Sequence, residues 1–400
     1  MGTIVQKYGG TSMGSIERIQ NVARRVIAKK EKGNRMVVVV SAMGKKTDEL
    51  VKMAYEINEH PPKRELDMLL ATGEQVSISM LSMALDEMGY DAISFTGPQI
   101  GVRTMGHHGK SRIMDIDRTK IDEALDEGKI VIVAGFQGVN ENDDITTLGR
   151  GGSDTSAVAL SCVLECPCEI YTDVDGIYGV DPRIVPNAKK LDFVSFDEML
   201  EMASLGAGVM HTRAIELGSK YDANIYVASS INEVPGTLIH RGKGEFTKEI
   251  TGMAIDHDEL MVSLKNVPFD MNVTAQFFST LAKESINIDM ISQTSPVSGA
   301  INISFSAPVE DLPEMSRILD TFKETYPQVE IAVDQDVTKL SVVGIGMRSE
   351  CGVAAKFFKV LSDLDFPILM ITTSEIRISC MIPVSAEKRA VQATAEAFDL

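Results

Sequence analysis

Lys7, followed by Gly9 and Gly10 and by the hydroxyls of Thr11 and Ser12, is a set of residues that can grip a phosphate. Two adjacent glycines let main-chain N–H groups approach an anion with no Cβ in the way. The helical pattern behind them adds partial positive charge, and the lysine supplies a full one. The arrangement predicts a nucleotide site. It is not the Gly-x4-Gly-Lys-Ser/Thr loop, because here the lysine precedes the glycines. A second glycine-rich stretch, Gly149-Arg150-Gly151-Gly152-Ser153-Asp154-Thr155-Ser156, follows a polar loop at 140–147 and opens an apolar helical pattern at 157–160. It predicts a second anion site at a helix N-terminus. Arg150 can fork onto a carboxylate there, and Ser153 and Asp154 serve as helix caps or as ligands for substrate or metal.

A chain of 400 residues with 44% hydrophobic content is two or three domains long and can bury a sizeable core. Its formal net charge of −18, with no basic run, argues against nucleic acid and anionic membranes as partners. The phosphate site must therefore be basic locally. No N-terminal stretch joins a charged segment to an apolar one, and no apolar run approaches transmembrane length, which predicts a cytoplasmic protein. Cys162, Cys166 and Cys168 lack a fourth Cys or His ligand nearby. They read as small buried thiols of a reducing compartment rather than a zinc site. His107-His108 has no carboxylate beside it until Asp115, so no metal is expected there.

The element that must position these turns is a sheet. Helical patterns at 16–32 and 75–88 alternate with β-branched runs at 36–40, 129–134, 169–172 and 224–227. Such continuous apolar strands predict an α/β domain whose mostly parallel sheet is covered by helices on both faces. Ligands of open sheets collect beyond the carboxyl ends of the strands, and 7–12, 41–47, 135–138 and 173–176 each follow a predicted strand. After Arg241 the pattern changes. Gly242-Lys243-Gly244 reads as a linker, and beyond it the chain repeats itself. Leu260, Val262, Val273, Phe277, Leu281 and Ile288 recur 80 residues later as Leu340, Val342, Val353, Phe357, Leu361 and Ile368. The expected domains are 1–241, 251–334 and 335–400.

With Ser41-Ala42-Met43-Gly44 and Thr47, Thr72-Gly73-Glu74, Ala134-Gly135-Phe136-Gln137-Gly138, Tyr171-Thr172-Asp173-Val174-Asp175-Gly176-Ile177-Tyr178 and Asp181-Pro182-Arg183, these motifs resemble the aspartate kinases of the amino-acid kinase superfamily. The duplicated tail is similar to two ACT domains, small βαββαβ modules that bind amino acids at their interfaces. The resemblance implies the amino-acid kinase fold followed by two ferredoxin-like ACT domains. It also implies transfer of the γ-phosphate of ATP, with Mg²⁺, to the β-carboxylate of L-aspartate, giving 4-phospho-L-aspartate for lysine, threonine and methionine synthesis. By the same resemblance, Lys7, Tyr8, Gly9, Gly10, Ser41, Thr172, Asp173, Tyr178, Asp181 and Arg183 surround ATP. Thr47, Glu74, Arg150, Gly151, Gly152 and Ser153 hold aspartate, and Lys7, Asp154 and Asp173 carry catalysis.

A carboxylate acceptor is already ionised at neutral pH, so such an enzyme has mainly to align it and neutralise charge. Lys7 with the Gly9 and Gly10 amides would steady the phosphates, Asp173 would face the nucleotide and Asp154 would organise the cations. Arg150 would fork the α-carboxylate, and Glu74 would attract the α-ammonium. Phe136 is a pocket wall or a core residue. For regulation, the resemblance implies L-lysine bound by Phe269, Asp270, Asn272, Thr274, Asn287, Ile288, Asp289 and Gln293, with Asp289 on its ammonium, facing Ile368, Ser374 and Glu375 of the second copy. It implies at least a homodimer through the ACT domains, whose alternative role is dimer contact alone.

Four segments depart from the family pattern. Gly208 and Met105 stand where lysine and aspartate are common, Glu350-Cys351-Gly352-Val353 replaces His-Pro-Gly-Val, and Asp365-Phe366-Pro367-Ile368 replaces Gly-Ile-Asn-Ile. Arg183 or Arg213 can supply the charge missing at Gly208, and the glycines at 206–208 read as a hinge. Two other function classes stay open. A phosphotransferase for glutamate, N-acetylglutamate or a nucleoside monophosphate would not need the paired ACT modules with Thr47, Glu74 and Arg150. An amino-acid sensor would not need Lys7, Asp154 and Asp173 together.

Overall fold

Met36-Val37-Val38-Val39-Val40 and Ile130-Val131-Ile132-Val133-Ala134 are apolar on both faces, which only strands covered from both sides can bury. In a computed structural model that describes residues 2–206, 209–242 and 248–400, both runs are central strands. Ala207 and Gly208 of the expected hinge, and Lys243-Gly244 of the linker, lie outside the described residues.

In chain order the elements begin β1 (Thr3–Tyr8), α1 (Ile16–Glu31), β2 (Arg35–Val40), α2 (Lys46–Ile57), α3 (Lys63–Leu70), α4 (Thr72–Glu87) and β3 (Ala92–Phe95). Next come β4 (Arg103–Met105), β5 (Arg112–Asp115), α5 (Thr119–Asp126), β6 (Ile130–Ala134), β7 (Gln137–Val139), β8 (Ile145–Thr147), α6 (Gly152–Val163) and β9 (Cys168–Thr172). Then follow β10 (Phe193–Ser195), α7 (Phe196–Ser204), α8 (Thr212–Tyr221), β11 (Ile225–Ser229), β12 (Thr237–His240) and β13 (Gly252–Asp256). The last are β14 (Glu259–Pro268), α9 (Met271–Lys283), β15 (Ile291–Gln293), β16 (Ala300–Pro308), α10 (Leu312–Thr325), β17 (Glu330–Asp334), β18 (Val337–Val343), α11 (Val353–Ser362), β19 (Met370–Thr373), β20 (Arg377–Pro383) and α12 (Glu387–Phe398).

The first of two units holds an eight-stranded sheet, ordered β10-β12-β11-β9-β1-β2-β6-β3 and parallel except between β11 and β12. Strand alternation sorts its residues. Tyr8, Met36, Val38, Val40, Ile130 and Ile132 share one core with Ile19, Val22 and Val26 of α1 and Ile78, Leu81 and Leu85 of α4. Lys7 therefore points to the opposite face, where α6 packs against β1 and β2. The stretch Lys63–Glu87 is long and apolar enough to cross a membrane, a feature the sequence reading passed over. Ile78, Leu81 and Leu85 nevertheless pack into the sheet's core. Asp67 and Glu74 in the same stretch are buried with main-chain partners, so α3 and α4 are core helices.

A second, four-stranded sheet β5-β4-β7-β8 takes in part of what the sequence reads as a polar loop at 140–147. One carboxylate ties it down. Asp67, only 1% exposed, accepts hydrogen bonds from Thr147 N (3.0 Å), Thr147 Oγ1 (2.6 Å) and Gly109 N (3.0 Å), and pairs with His108 Nδ1 at 2.8 Å. His108 thus has a carboxylate partner that sequence distance hid. Asp67→Ala should cost about 3 kcal/mol in urea unfolding, because buried donors lose their acceptor. A loss below about 1 kcal/mol would show that water replaces the carboxylate.

The second unit contains Tyr178–Lys189 together with the C-terminal part of the chain. Val180, Ile184 and Val185 enter the core that Leu340, Phe357 and Phe398 define, so the first domain is not the continuous 1–241 expected. β15-β16-β14-β17 form one antiparallel sheet and β13-β18-β20-β19 the other. β13 pairs with β18 from Gly252↔Val343 to Asp256↔Lys339. Residues 252–256 therefore belong to the second module, not to the first as a boundary at 251 expects. Its edge would otherwise expose an unpaired strand.

Candidate active site

β1 continues through α1 to β2 on one side and lies beside β9 on the other, and at such a change of direction the carboxyl ends of parallel strands leave a crevice. A cavity of about 290 Å³ opens there, lined by Lys7, Gly10, Ser41, Thr47, Glu74, Phe136, Gly149 and the run Arg150-Gly151-Gly152-Ser153-Asp154. Both predicted anion turns therefore meet in one place. The Lys7 ammonium stands 2.6 Å from Asp154 Oδ1, in an ion-pair contact without the alignment of a hydrogen bond.

Helix α6 does not start as expected. Its N-cap is Gly151 with φ 66, and no side chain caps it. A Cβ at Gly151 would lie 2.2 Å from the His211 Cβ, so close approach and backbone shape both demand glycine. Ser153 and Asp154 thus sit inside the first turn and line the cavity instead of capping. Phe136, at φ 71, takes a left-handed conformation that bulky residues rarely adopt, and its amide donates to Ser156 Oγ at 3.0 Å. It lines the cavity, which decides between wall and core.

Glu74 is 3% exposed. Its Oε1 accepts from the Ala42 amide at 3.0 Å while Oε2 has no partner. Burial pushes this carboxyl up to about 7. Between the ordinary value of 4.5 and about 7 the folded protein holds the extra proton, so the group's contribution to stability falls as pH rises through that window. Arg150 is exposed at the cavity mouth and has no ion pair among the described residues. A zwitterion's ammonium and carboxylate would complete the two groups.

Several expected ATP residues are not among those lining this cavity. Tyr8 is fully buried, stacked on Tyr171 at 5.0 Å between centroids, because alternation turns it away from Lys7. The Gly9 amide is taken by the Tyr171 carbonyl at 3.3 Å, which leaves the Gly10 amide for a ligand. Thr172 ends β9 and donates to Oδ1 of Asp173 just beyond it at 3.1 Å, and neither lines the cavity. Tyr178, Asp181 and Arg183 belong to the second unit, where Arg183 forks onto Asp181 at 2.6 Å and holds its carboxyl below the ordinary range. Arg213 donates to the Leu148 carbonyl at 2.9 Å.

Of the effector residues, Asp270 caps α9 by accepting from Asn272 N at 2.8 Å, and Phe269 is exposed. Thr274 lies on α9 and Gln293 on β15; Asn287 is exposed, while Ile288 packs on the first module's core. Asp289 is engaged already. Its Oδ2 is 2.9 Å from Lys339 Nζ, which also reaches Glu259 at 2.8 Å and Asp256 at 3.3 Å. Ser374 and Glu375 line a cavity of about 560 Å³ with Glu350 and Gly352 of the altered loop, and Arg348 pairs with Glu375 at 3.1 Å. Ile368 packs beside the second module's core.

The amino acid kinase family pattern matches residues 2–229, and the ACT domain pattern matches 265–320 and 340–398. Aspartokinase 2 of Bacillus subtilis strain 168 is 49% identical over all of this chain and 98% of its own length. The chain belongs to the aspartokinases of the amino acid kinase family. The aspartokinase of Thermus thermophilus is 43% identical over 100% of this chain and 99% of its own. An aspartate kinase from Synechocystis, 41% identical, covers 100% of this chain and 69% of its own with a TM-score of 0.56. E. coli aspartokinase III, solved with aspartate and ADP, shares the fold at 24% identity and a TM-score of 0.81, covering 100% of both chains. The chain is accordingly an ATP-dependent kinase with aspartate kinase activity and C-terminal ACT domains.

Proposed function

We propose that the cavity transfers the γ-phosphate of ATP to the β-carboxylate of L-aspartate, giving 4-phospho-L-aspartate at the start of lysine, threonine and methionine synthesis. One observation carries the reading: a lone buried carboxylate oxygen on Glu74 and an unpaired Arg150 share one cavity with Lys7 and a helix N-terminus. Glu74 takes the α-ammonium and Arg150 the α-carboxylate, which directs the side-chain carboxylate toward Lys7. Thr47, Ser153 and the Gly151-Gly152 main chain complete the aspartate site. Lys7 and the Gly10 amide steady the transferred group, while Ser41, Thr172 and Asp173 meet the nucleotide.

Among the described residues no three Asp, Glu, His or Cys gather into a metal cage. Asp154, with a buried oxygen lacking a hydrogen bond, and Asp173 suit a Mg²⁺ carried on the phosphates, which would neutralise their charge. E. coli aspartokinase III has been solved with lysine and aspartate, and L-lysine at the ACT modules of a cytoplasmic homodimer is the regulation proposed here. With Asp289 held by Lys339, the cavity at Ser374 and Glu375 is the better placed of the two effector sites.

Purified protein incubated with Mg·ATP, L-aspartate and hydroxylamine should give the aspartyl hydroxamate, with little product from L-glutamate and less in the presence of L-lysine. Absence of aspartate-dependent hydroxamate would overturn the assignment. The pH profile tests Glu74 separately. As pH falls below about 7 the carboxylate takes up its proton and loses its hold on the ammonium, so KM for aspartate should rise while Glu74→Gln shows a high, flat KM. An unchanged profile in that variant would remove Glu74 from substrate binding.

A further inference from the structure

We infer that the cleft between α9 and α10 binds a small organic cation, an aliphatic primary ammonium free in solution. Its volume of about 320 Å³ is that of a small-molecule site. The floor is aromatic, with Phe277 and Phe322 ring centroids 4.8 Å apart and Phe322 and Tyr326 5.0 Å apart. The rim carries Glu284, just past α9, and Glu314 of α10. Glu314 pairs with Arg317 at 2.8 Å, whereas Glu284 has no cationic partner among the described residues. The rim is left with one uncompensated negative charge.

The chain's own duplication shows what fits such a cleft. Val262 faces Phe305 in the first module and Val342 faces Ile378 in the second, which sets the two helix pairs in register. Lys356 of the second copy then stands where Gln276 stands in the first, and Phe398 where Thr325 stands. Lys356 Nζ lies 4.4 Å from the Phe398 ring centroid and 3.2 Å from Glu249 Oε2, an ammonium between an aromatic face and a carboxylate. The first copy has a neutral amide and a short hydroxyl in place of the lysine and its ring, and it supplies aromatic faces and a carboxylate of its own at Phe322, Tyr326 and Glu284. A ring's negative face attracts a cation, and a neighbouring carboxylate adds to it. None of the residues assigned to aspartate, ATP or the effector lines this cleft.

Titration of 1,5-diaminopentane into the full-length protein, followed by calorimetry with 1-pentanol as the neutral comparison, tests the inference. The diamine should saturate and bind roughly tenfold tighter than the alcohol, with no change in sedimentation coefficient. Gln276→Lys combined with Thr325→Phe, which rebuilds the second copy's contact, should abolish binding. Glu284→Gln should weaken it about threefold, and this surface change reads the site even if the double variant folds poorly. Both should leave aspartyl hydroxamate formation intact, so failure here is separate from failure of the kinase assignment. Absence of saturation, equal binding of alcohol and diamine, full diamine affinity in Glu284→Gln, or a diamine-driven change of oligomeric state would each overturn it.

Discussion

Replacing Lys7 by methionine is expected to lower kcat about a thousandfold, the scale set by removing a preorganised charge from a phosphoryl- or acyl-transfer site. The side chain projects from the carboxyl end of a central strand, is 8% exposed and faces the first turn of α6. Little water reaches it, so its field on the transferred group is weakly screened. The substitution also leaves Asp154 without its 2.6 Å partner, and this carboxylate lies 12% exposed at an open cavity, so a stability loss of about 1–2 kcal/mol should accompany the kinetic effect. Lys7→Met with Asp154→Asn removes the orphaned charge and should recover stability without turnover. A folded Lys7→Met enzyme with kcat within tenfold of the parent would place the phosphates elsewhere.

Lys339→Met should give the largest loss of stability in the second unit, about 3–5 kcal/mol in urea unfolding of the full-length protein. Its ammonium is 2% exposed and sits among Glu259, Asp289 and Asp256, themselves 8%, 30% and 25% exposed. Burial alone would lower its affinity for the proton, but Glu259, Asp289 and Asp256 together raise it above the ordinary 10.5. The folded state therefore holds this proton more tightly than the unfolded one. The stabilisation is complete below pH 10.5 and disappears as pH rises beyond the raised value. Glu259 and Lys339 occupy matching positions of the duplicated copies, so the pair lies where the two first strands of the modules approach each other. Glu259→Met added to Lys339→Met should recover much of the loss, because a buried ion pair replaced by apolar groups is often neutral. Equal losses in the single and double variants would show that Glu259 contributes nothing to the pair.

What was legible in the sequence is what local pattern dictates. The strands at 35–40, 130–134 and 168–172 and the helices at 16–31 and 72–87 fall within a few residues of expectation, because uninterrupted valine and isoleucine runs or amphipathic spacing leave one option. The glycine turns announced themselves, and Lys7, Glu74, Arg150 and Ser153 do meet. Tyr8 was misread although the signal was available: the alternation that sends Lys7 to α6 sends its neighbour into the α1 core. Asp67 and Lys339 were silent because their partners lie 41–80 and 50–83 residues away in the chain, beyond any local pattern. The short strands β4, β5, β7 and β8 span three or four residues each, too few for periodicity to register.

The origin of β13 changes what the repeat means. Along the chain the first module is inserted between one edge strand of the second, at 252–256, and the rest of that sheet, beginning at Val337, while in space those two strands lie side by side. A truncation between the copies would strip the second module of an edge strand while sparing the first. Deletion of the first module alone would have to rejoin Asp256 to Val337. Any shift of the inserted module is therefore delivered to two adjacent strands of one sheet, as a load carried on both ends of a bracket.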